Sequence, residues 1–191
     1  VKVFIVGGGT AYAQMFIKHG WEVIGSIFDA DLVQFTGGED VTPIIYGEEN
    51  TNSYNNFDRD LREAGYFAIA QRMDKPMAGI CRGGQFLNVM CGGSMIQHVE
   101  GHAIHGTHPL VFMEDVHEDT PTTNVTSTHH QAMVSADPDA ILDKSPDDIT
   151  EVIHYTTEKV LCFQPHPEFT GYKECTDYYF ELLDRCLGLR V

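Results

Sequence analysis

The chain has 191 residues, 42% of them hydrophobic and 21% charged, which suits one domain around a single core and excludes a disordered chain. Acidic residues number 28 against 12 basic ones, a formal net charge of −16. A surface of that sign repels phosphate backbones and anionic lipid, so neither nucleic acid nor a membrane is expected as a partner. No apolar run approaches the roughly 18 residues of a membrane span. The five cysteines (Cys81, Cys91, Cys162, Cys175, Cys186) lack the spacing of a disulfide framework. The apolar part of Val1–Gly7 is too short for a signal peptide, so reduced thiols and a cytoplasmic setting are expected.

In chain order, Val3 to Val6 reads as a strand closed by Gly7-Gly8-Gly9, with a helix from about Ala11 to His19. The triple glycine fails as a dinucleotide fingerprint, because Tyr12 stands where G-x-G-x-x-G needs glycine. Trp21 to Gly25 and Leu32 to Thr36 read as strands, the latter closed by Gly37-Gly38. Asp58 to Met73 has a helical period; "PMAGI" reads as a buried strand running into Cys81, and a helix is expected from about Gly83 to Met90. In the less regular second half, Pro109 to Met113, Val125 to Thr128, Glu151 to Thr156 and Val160 to Gln164 read as strands, and Tyr172 to Leu187 as a last helix. Alternating strands and helices predict an α/β domain over residues 1–191: three layers, flavodoxin-like, a mostly parallel sheet with helices on both faces and ligands at the strands' carboxyl ends.

Gly79-Ile80-Cys81-Arg82-Gly83 has the G-x-nucleophile-x-G form, a tight strand-to-helix turn that holds the central side chain outward. Helix N-terminal amides aimed at that sulfur favour thiolate over thiol. Cysteine is also a common core residue, and the local pattern alone leaves both readings open. His166, after the apolar run Val160 to Phe163, is the best-placed base. Pro167 biases it toward extended geometry, in which Glu168 projects on the same side and can fix the imidazole's tautomer. The amide after the nucleophile, on Arg82, and the Gly37-Gly38 turn are candidate oxyanion donors.

These segments resemble the class I glutamine amidotransferases, with "GICRGGQ" and "HPE" matching the elbow and the third segment. "TGGEDVTPIIYGEE", "GICRGGQFLNVMCGGSMIQHV" and "TSTHHQAM" are most similar to the γ-glutamyl hydrolase branch, which includes γ-glutamyl-GABA hydrolases. The resemblance implies Cys81 as nucleophile, His166 as base and Glu168 as its orienting partner. It implies oxyanion amides from Gly38 and Arg82, and a substrate pocket near Gly37, Gln85, His130, Gln131 and Ala132. The implied reaction is hydrolysis of a small-molecule γ-glutamyl amide without metal or organic cofactor. The alternative is a glutaminase subunit that passes ammonia to a separate synthase or amide ligase. The chain is shorter than typical stand-alone hydrolases of that branch, which puts the leaving group in question.

His98, His102, His105 and His108 form a separate tract. Glycines 101 and 106 interrupt any helix there, and no Cys or carboxylate cluster in the sequence completes a zinc-like ligand set, so a loop without metal is expected. By the same resemblance His129 and His130 shape the pocket and do not transfer protons.

Overall fold

The computed structural model describes residues 1–113 and 123–190. The first half runs β1 (Lys2–Val6), α1 (Thr10–Lys18), β2 (Glu22–Ile24), β3 (Leu32–Phe35), α2 (Phe57–Arg72), β4 (Met77–Ile80) and α3 (Arg82–Met90). The second half adds β5 (Ser94–Ile96), β6 (Gly106–Pro109), β7 (Val111–Phe112), β8 (Asn124–Ser127), β9 (Ala132–Val134), β10 (Ile141–Lys144), β11 (Thr150–Tyr155), β12 (Val160–Phe163) and α4 (Lys173–Leu187).

Eight strands form the main sheet in the order β2-β1-β3-β4-β12-β11-β10-β7. The five from β2 to β12 are parallel, whereas β11, β10 and β7 continue antiparallel. Side chains alternate across the central strands as a period of two requires. From β12, Val160 and Cys162 join one core with Phe67, Ala70, Phe86 and Leu87 of α2 and α3. Leu161 and Phe163 join the opposite core with Met15 and Phe16 of α1 and Tyr178, Tyr179, Leu182 and Leu183 of α4. Three layers result, as the α/β punctuation implied. No described helix is long and apolar enough to cross a membrane.

Helix boundaries follow local chemistry. Asn56 caps α2 by accepting from Arg59 N–H at 3.1 Å, and Asp58 and Asp60 sit in its first turn, where the macrodipole favours acids. Gly188 ends α4 in the left-handed conformation. One expectation needs correction, and three strands were not foreseen. Pro109 to Met113 is not one strand: β6 pairs with β8 in a small separate sheet, and after buried Leu110 the chain re-enters the main sheet as β7. The short strands β5, β9 and β10 had no readable signal; β5 and β9 pair only with each other.

One polar contact spans the α1/α4 core. Tyr179 Oη donates to Gln34 Oε1, and Gln34 Nε2 donates to Phe35 O at 2.8 Å; both side chains are fully buried. Tyr179→Phe strands a buried acceptor and is expected to lower stability by about 1–3 kcal/mol, measured by denaturant unfolding.

Candidate active site

Strands β4 and β12 are parallel and in register to their ends, with Ile80 opposite Phe163. The segments that follow them therefore emerge side by side at the carboxyl end of the sheet, and Cys81 N–H donates to Phe163 O at 2.7 Å. Cys81 has φ 51° and ψ −116°, a conformation that costs a non-glycine residue on the order of 1–3 kcal/mol. The turn is possible because of its glycines. A Cβ on Gly79 would lie 2.3 Å from Gly83 backbone, and one on Gly83 would lie 2.5 Å from Phe35 O. The backbones must touch for the elbow to form.

His166 meets Cys81 from the neighbouring strand. Its Nδ1 lies 2.7 Å from Glu168 Oε1, and its backbone N–H donates to Thr126 Oγ1 at 2.6 Å. The ring stacks on Phe169 with 4.5 Å between centroids. The expected His–Glu pair is present, but not through extended backbone: the chain turns at Pro167 and Glu168, and Phe169 N–H closes the turn on His166 O at 3.4 Å. Burial works against the imidazolium, yet the Cys81 and Glu168 charges outweigh it and push His166 up to about 10. Away from the site, burial raises the Cys91 and Cys175 thiols to about 12 and drives Cys162 up as well.

The turn after β3 forms the facing wall. A Cβ on Gly37 would lie 3.1 Å from His166 Cε1 and 3.6 Å from Cys81 Cβ. Gly37 N–H is taken by Tyr12 Oη at 3.0 Å, while Gly38 has φ 138° and no room for a Cβ beside Arg59 Nη1. Arg82 N–H opens α3 and belongs to the first turn, whose amides lack an intrahelical acceptor.

The remaining expected pocket residues are nearby but differently employed. Gln85 is buried; its Nε2 lies 3.1 Å from Gln164 Oε1 and 3.5 Å from Gln131 O, and Gln164 Nε2 lies 3.7 Å from Cys81 Sγ. Gln131 Nε2 donates to Ser53 Oγ at 2.6 Å, and His130 Nε2 sits 3.2 Å from Asp40 carboxylate oxygens. Ala132 is buried in β9.

Sequence reasoning missed Tyr12, Gln164, Arg59 and the α2 acids. The Arg82 side chain is 2% exposed and pairs with Asp60 and Glu63. Glu63 also takes Arg59 Nε at 2.8 Å, and Arg59 donates to Thr36 O at 3.1 Å and Gly37 O at 2.9 Å. Asp60 Oδ2 in turn accepts from Thr42 N–H at 3.0 Å. A Glu at helical spacing from Arg59 was the one available signal.

A parallel sheet carrying a cysteine at a strained strand-to-helix turn, faced by a histidine–glutamate pair from the adjoining strand, has the fold of the class I glutamine amidotransferases. A chain in the structure of PurLQS from Thermotoga maritima superposes with a TM-score of 0.69 over 96% of this chain and 97% of that one; at 16% identity this speaks for the fold alone. The chain belongs to the Peptidase C26 family, whose model matches residues 8–168. It is 33% identical over 168 residues to Protein NtpR of Enterococcus hirae, covering 77% of this chain and 70% of that protein. The glutamine amidotransferase-like protein YvdE of Lactococcus lactis is 32% identical over 164 residues with the same coverages.

Two outcomes test this site. Glu63→Ala leaves Arg82 and Arg59 short of a buried carboxylate and is expected to cost about 3–5 kcal/mol in denaturant unfolding, whereas Leu61→Ala, exposed on the same helix, should stay within about 0.5 kcal/mol. Because His166 is raised from its ordinary 6.5, its imidazolium favours the fold fully below 6.5, and that contribution disappears as pH rises through about 10. Cys81→Ala removes one of the charges that raise it, so an NMR titration should show the His166 pKa lower in that variant than in the wild type.

Proposed function

We propose that the protein hydrolyses a γ-glutamyl amide, whether glutamine or a γ-glutamyl amine or peptide, through a γ-glutamyl thioester on Cys81. The convergence of Cys81, His166 and Glu168 at the carboxyl ends of two central strands carries this reading, supported by membership of the Peptidase C26 family. Cys81 thiolate attacks the side-chain carbonyl carbon; a C–S bond forms, and the carbonyl electron pair moves onto oxygen, against the N–H groups of Arg82 and Gly38. Collapse of this intermediate breaks the C–N bond, and the imidazolium of His166 protonates the departing nitrogen.

Acylation also changes the base. Once the sulfur is a thioester, its negative charge no longer holds a proton on His166, and the ring's pKa falls. The neutral imidazole then takes a proton from water, hydroxide attacks the thioester, and glutamate leaves with regeneration of the thiolate–imidazolium pair. Glu168 stabilises the imidazolium in both steps and keeps Nδ1 protonated. Gln164 and Gln85 brace the sulfur from behind, and Tyr12 holds the Gly37 amide so that Gly38 presents the free face of the turn.

A second version is a glutaminase subunit feeding ammonia to a separate synthase or amide ligase. Ile44 and Tyr54, 73% and 81% exposed on the segment after the glycine turn, give such a partner apolar surface.

Cys81→Ala is expected to abolish covalent labelling by a glutamine-analogue electrophile and to lower amide hydrolysis roughly 10⁴-fold or more. Hydrolysis that survives the substitution would overturn the mechanism. A screen of glutamine against γ-glutamyl amines and peptides separates the two versions. Rapid turnover of a γ-glutamyl amine by the isolated chain sinks the subunit reading, and glutamine turnover that rises only with an acceptor enzyme sinks the free-standing one.

A further inference from the structure

Behind the candidate active site, tertiary folding assembles what the histidine tract lacks on its own. His102 from the loop before β6, His108 of β6, His129 from the loop after β8 and Glu151 of β11 bring one ligand atom each within 4.8 Å of all the others. Glu151 Oε1 lies 3.4 Å from His102 Nδ1, 3.3 Å from His108 Nε2 and 3.4 Å from His129 Nε2. His102 Nδ1 and His129 Nε2 are 3.3 Å apart. A tetrahedral zinc ion with ligand bonds of ~2.0–2.1 Å requires ligand–ligand edges of about 3.3–3.4 Å. Four of the six edges have that length.

The protons point the same way. His108 Nδ1 lies 3.0 Å from Pro109 O and His129 Nδ1 lies 2.8 Å from Gln131 O. Those carbonyls can only accept, so each ring carries its proton there. His102 Nε2 lies 3.1 Å from the Asp147 carboxylate, which is fixed in turn by Ser145 Oγ at 2.6 Å. In the neutral state each ring thus turns a bare lone pair toward the carboxylate of Glu151. That side chain is fully buried, and neither of its oxygens receives a hydrogen bond. Lone pairs and an anion packed this closely in a dry interior repel one another unless a cation stands between them. The outward bonds to Asp147, Pro109 O and Gln131 O are those that orient metal-bound imidazoles.

We propose that His102, His108, His129 and Glu151 bind one divalent transition-metal ion, zinc by the chemistry of the donors, in a closed structural site. Four protein ligands complete the tetrahedron, so the ion is a brace and takes no part in amide hydrolysis. It ties the His129-His130-Gln131 loop to β11 and β6. Gln131 O receives His129 on one side and faces Gln85 on the other, and Glu151 O accepts Gln164 N–H at 2.9 Å, so the brace reaches the residues behind Cys81. The premise behind the expected metal-free loop, that no carboxylate completes the set, does not hold: Glu151 comes from a strand more than forty positions away. His98 and His105 of the tract are not among the ligands.

The test is metal content, read separately from activity. Full-length protein from zinc-supplemented culture, purified without chelator and gel-filtered, should hold about one zinc per chain by plasma mass spectrometry. Chelated protein reloaded with cobalt(II) should show the intense visible bands of a tetrahedral complex. His129→Ala should lose the ion, His105→Ala should retain it, and Asp147→Asn, altered at a largely exposed carboxylate, should weaken zinc binding roughly 10–100-fold. If His129→Ala fails to fold, Asp147→Asn decides. Wild-type protein without stoichiometric zinc, a six-coordinate cobalt spectrum, or affinity unchanged in Asp147→Asn would overturn the proposal in favour of a cluster that shares only protons.

Discussion

The buried guanidinium of Arg82 is the contact around which the candidate active site is organised. It sits directly after Cys81, so whatever holds Arg82 also holds the strained turn. Its partners Asp60 and Glu63 come from α2, and Glu63 is shared with Arg59, which grips the carbonyls of Thr36 and Gly37. One charge network therefore fixes three separate segments: the elbow, the glycine turn that faces it, and the helix between them in sequence. Two cations against two buried carboxylates, one of them shared, have no cheap alternative arrangement. That is how a backbone conformation costing on the order of 1–3 kcal/mol at Cys81 can persist. The "GGEDVTP" segment joins the same network, since Thr42 hydrogen-bonds Asp60 and Glu39 pairs with Arg59.

A second set of constraints lies on the other side of the sulfur. Gln164 and Gln85 link Cys81 to the histidine–histidine–glutamine loop, and that loop leads to the His102–His108–His129–Glu151 cluster. The site thus stands between two polar assemblies, one of guanidinium and carboxylate, the other of imidazole and carboxylate. The carboxyl ends of β4 and β12 supply adjacency, and these assemblies supply orientation. The contrast among the thiols fits this division. Cys91, Cys162 and Cys175 lie where burial suppresses the thiolate, whereas Cys81 faces an imidazolium.

Much of this was legible from the sequence. The parallel strands, the elbow and the histidine–glutamate pair rest on short-range patterns: apolar runs of strand length, glycines two residues either side of Cys81, and a proline between His166 and Glu168. The geometry behind the last of these differed, because the pair meets across a turn and not along an extended strand. Tyr12 was legible only as a position that spoiled a dinucleotide fingerprint; its hydroxyl is in fact the acceptor for Gly37 N–H. The strands β5, β9 and β10 carried no pattern, since three- and four-residue strands paired at a sheet margin need no sustained alternation.

What the sequence by itself determined is whatever depends on neighbours within a few residues: the order of strands and helices, the tight turn at Cys81, and the chemical types present near it. Only the tertiary structure decided which distant groups share a charge or a proton. Glu151 enters the sequence reading only as the first residue of a strand; folding buries it completely among three histidines from other segments. Arg82 entered the sequence reading only through its backbone amide; folding packs Asp60 and Glu63 over its side chain. The physical reason is common to both. The cost of burying a charge is set by partners that the chain brings together across long separations, and no local window of sequence contains them.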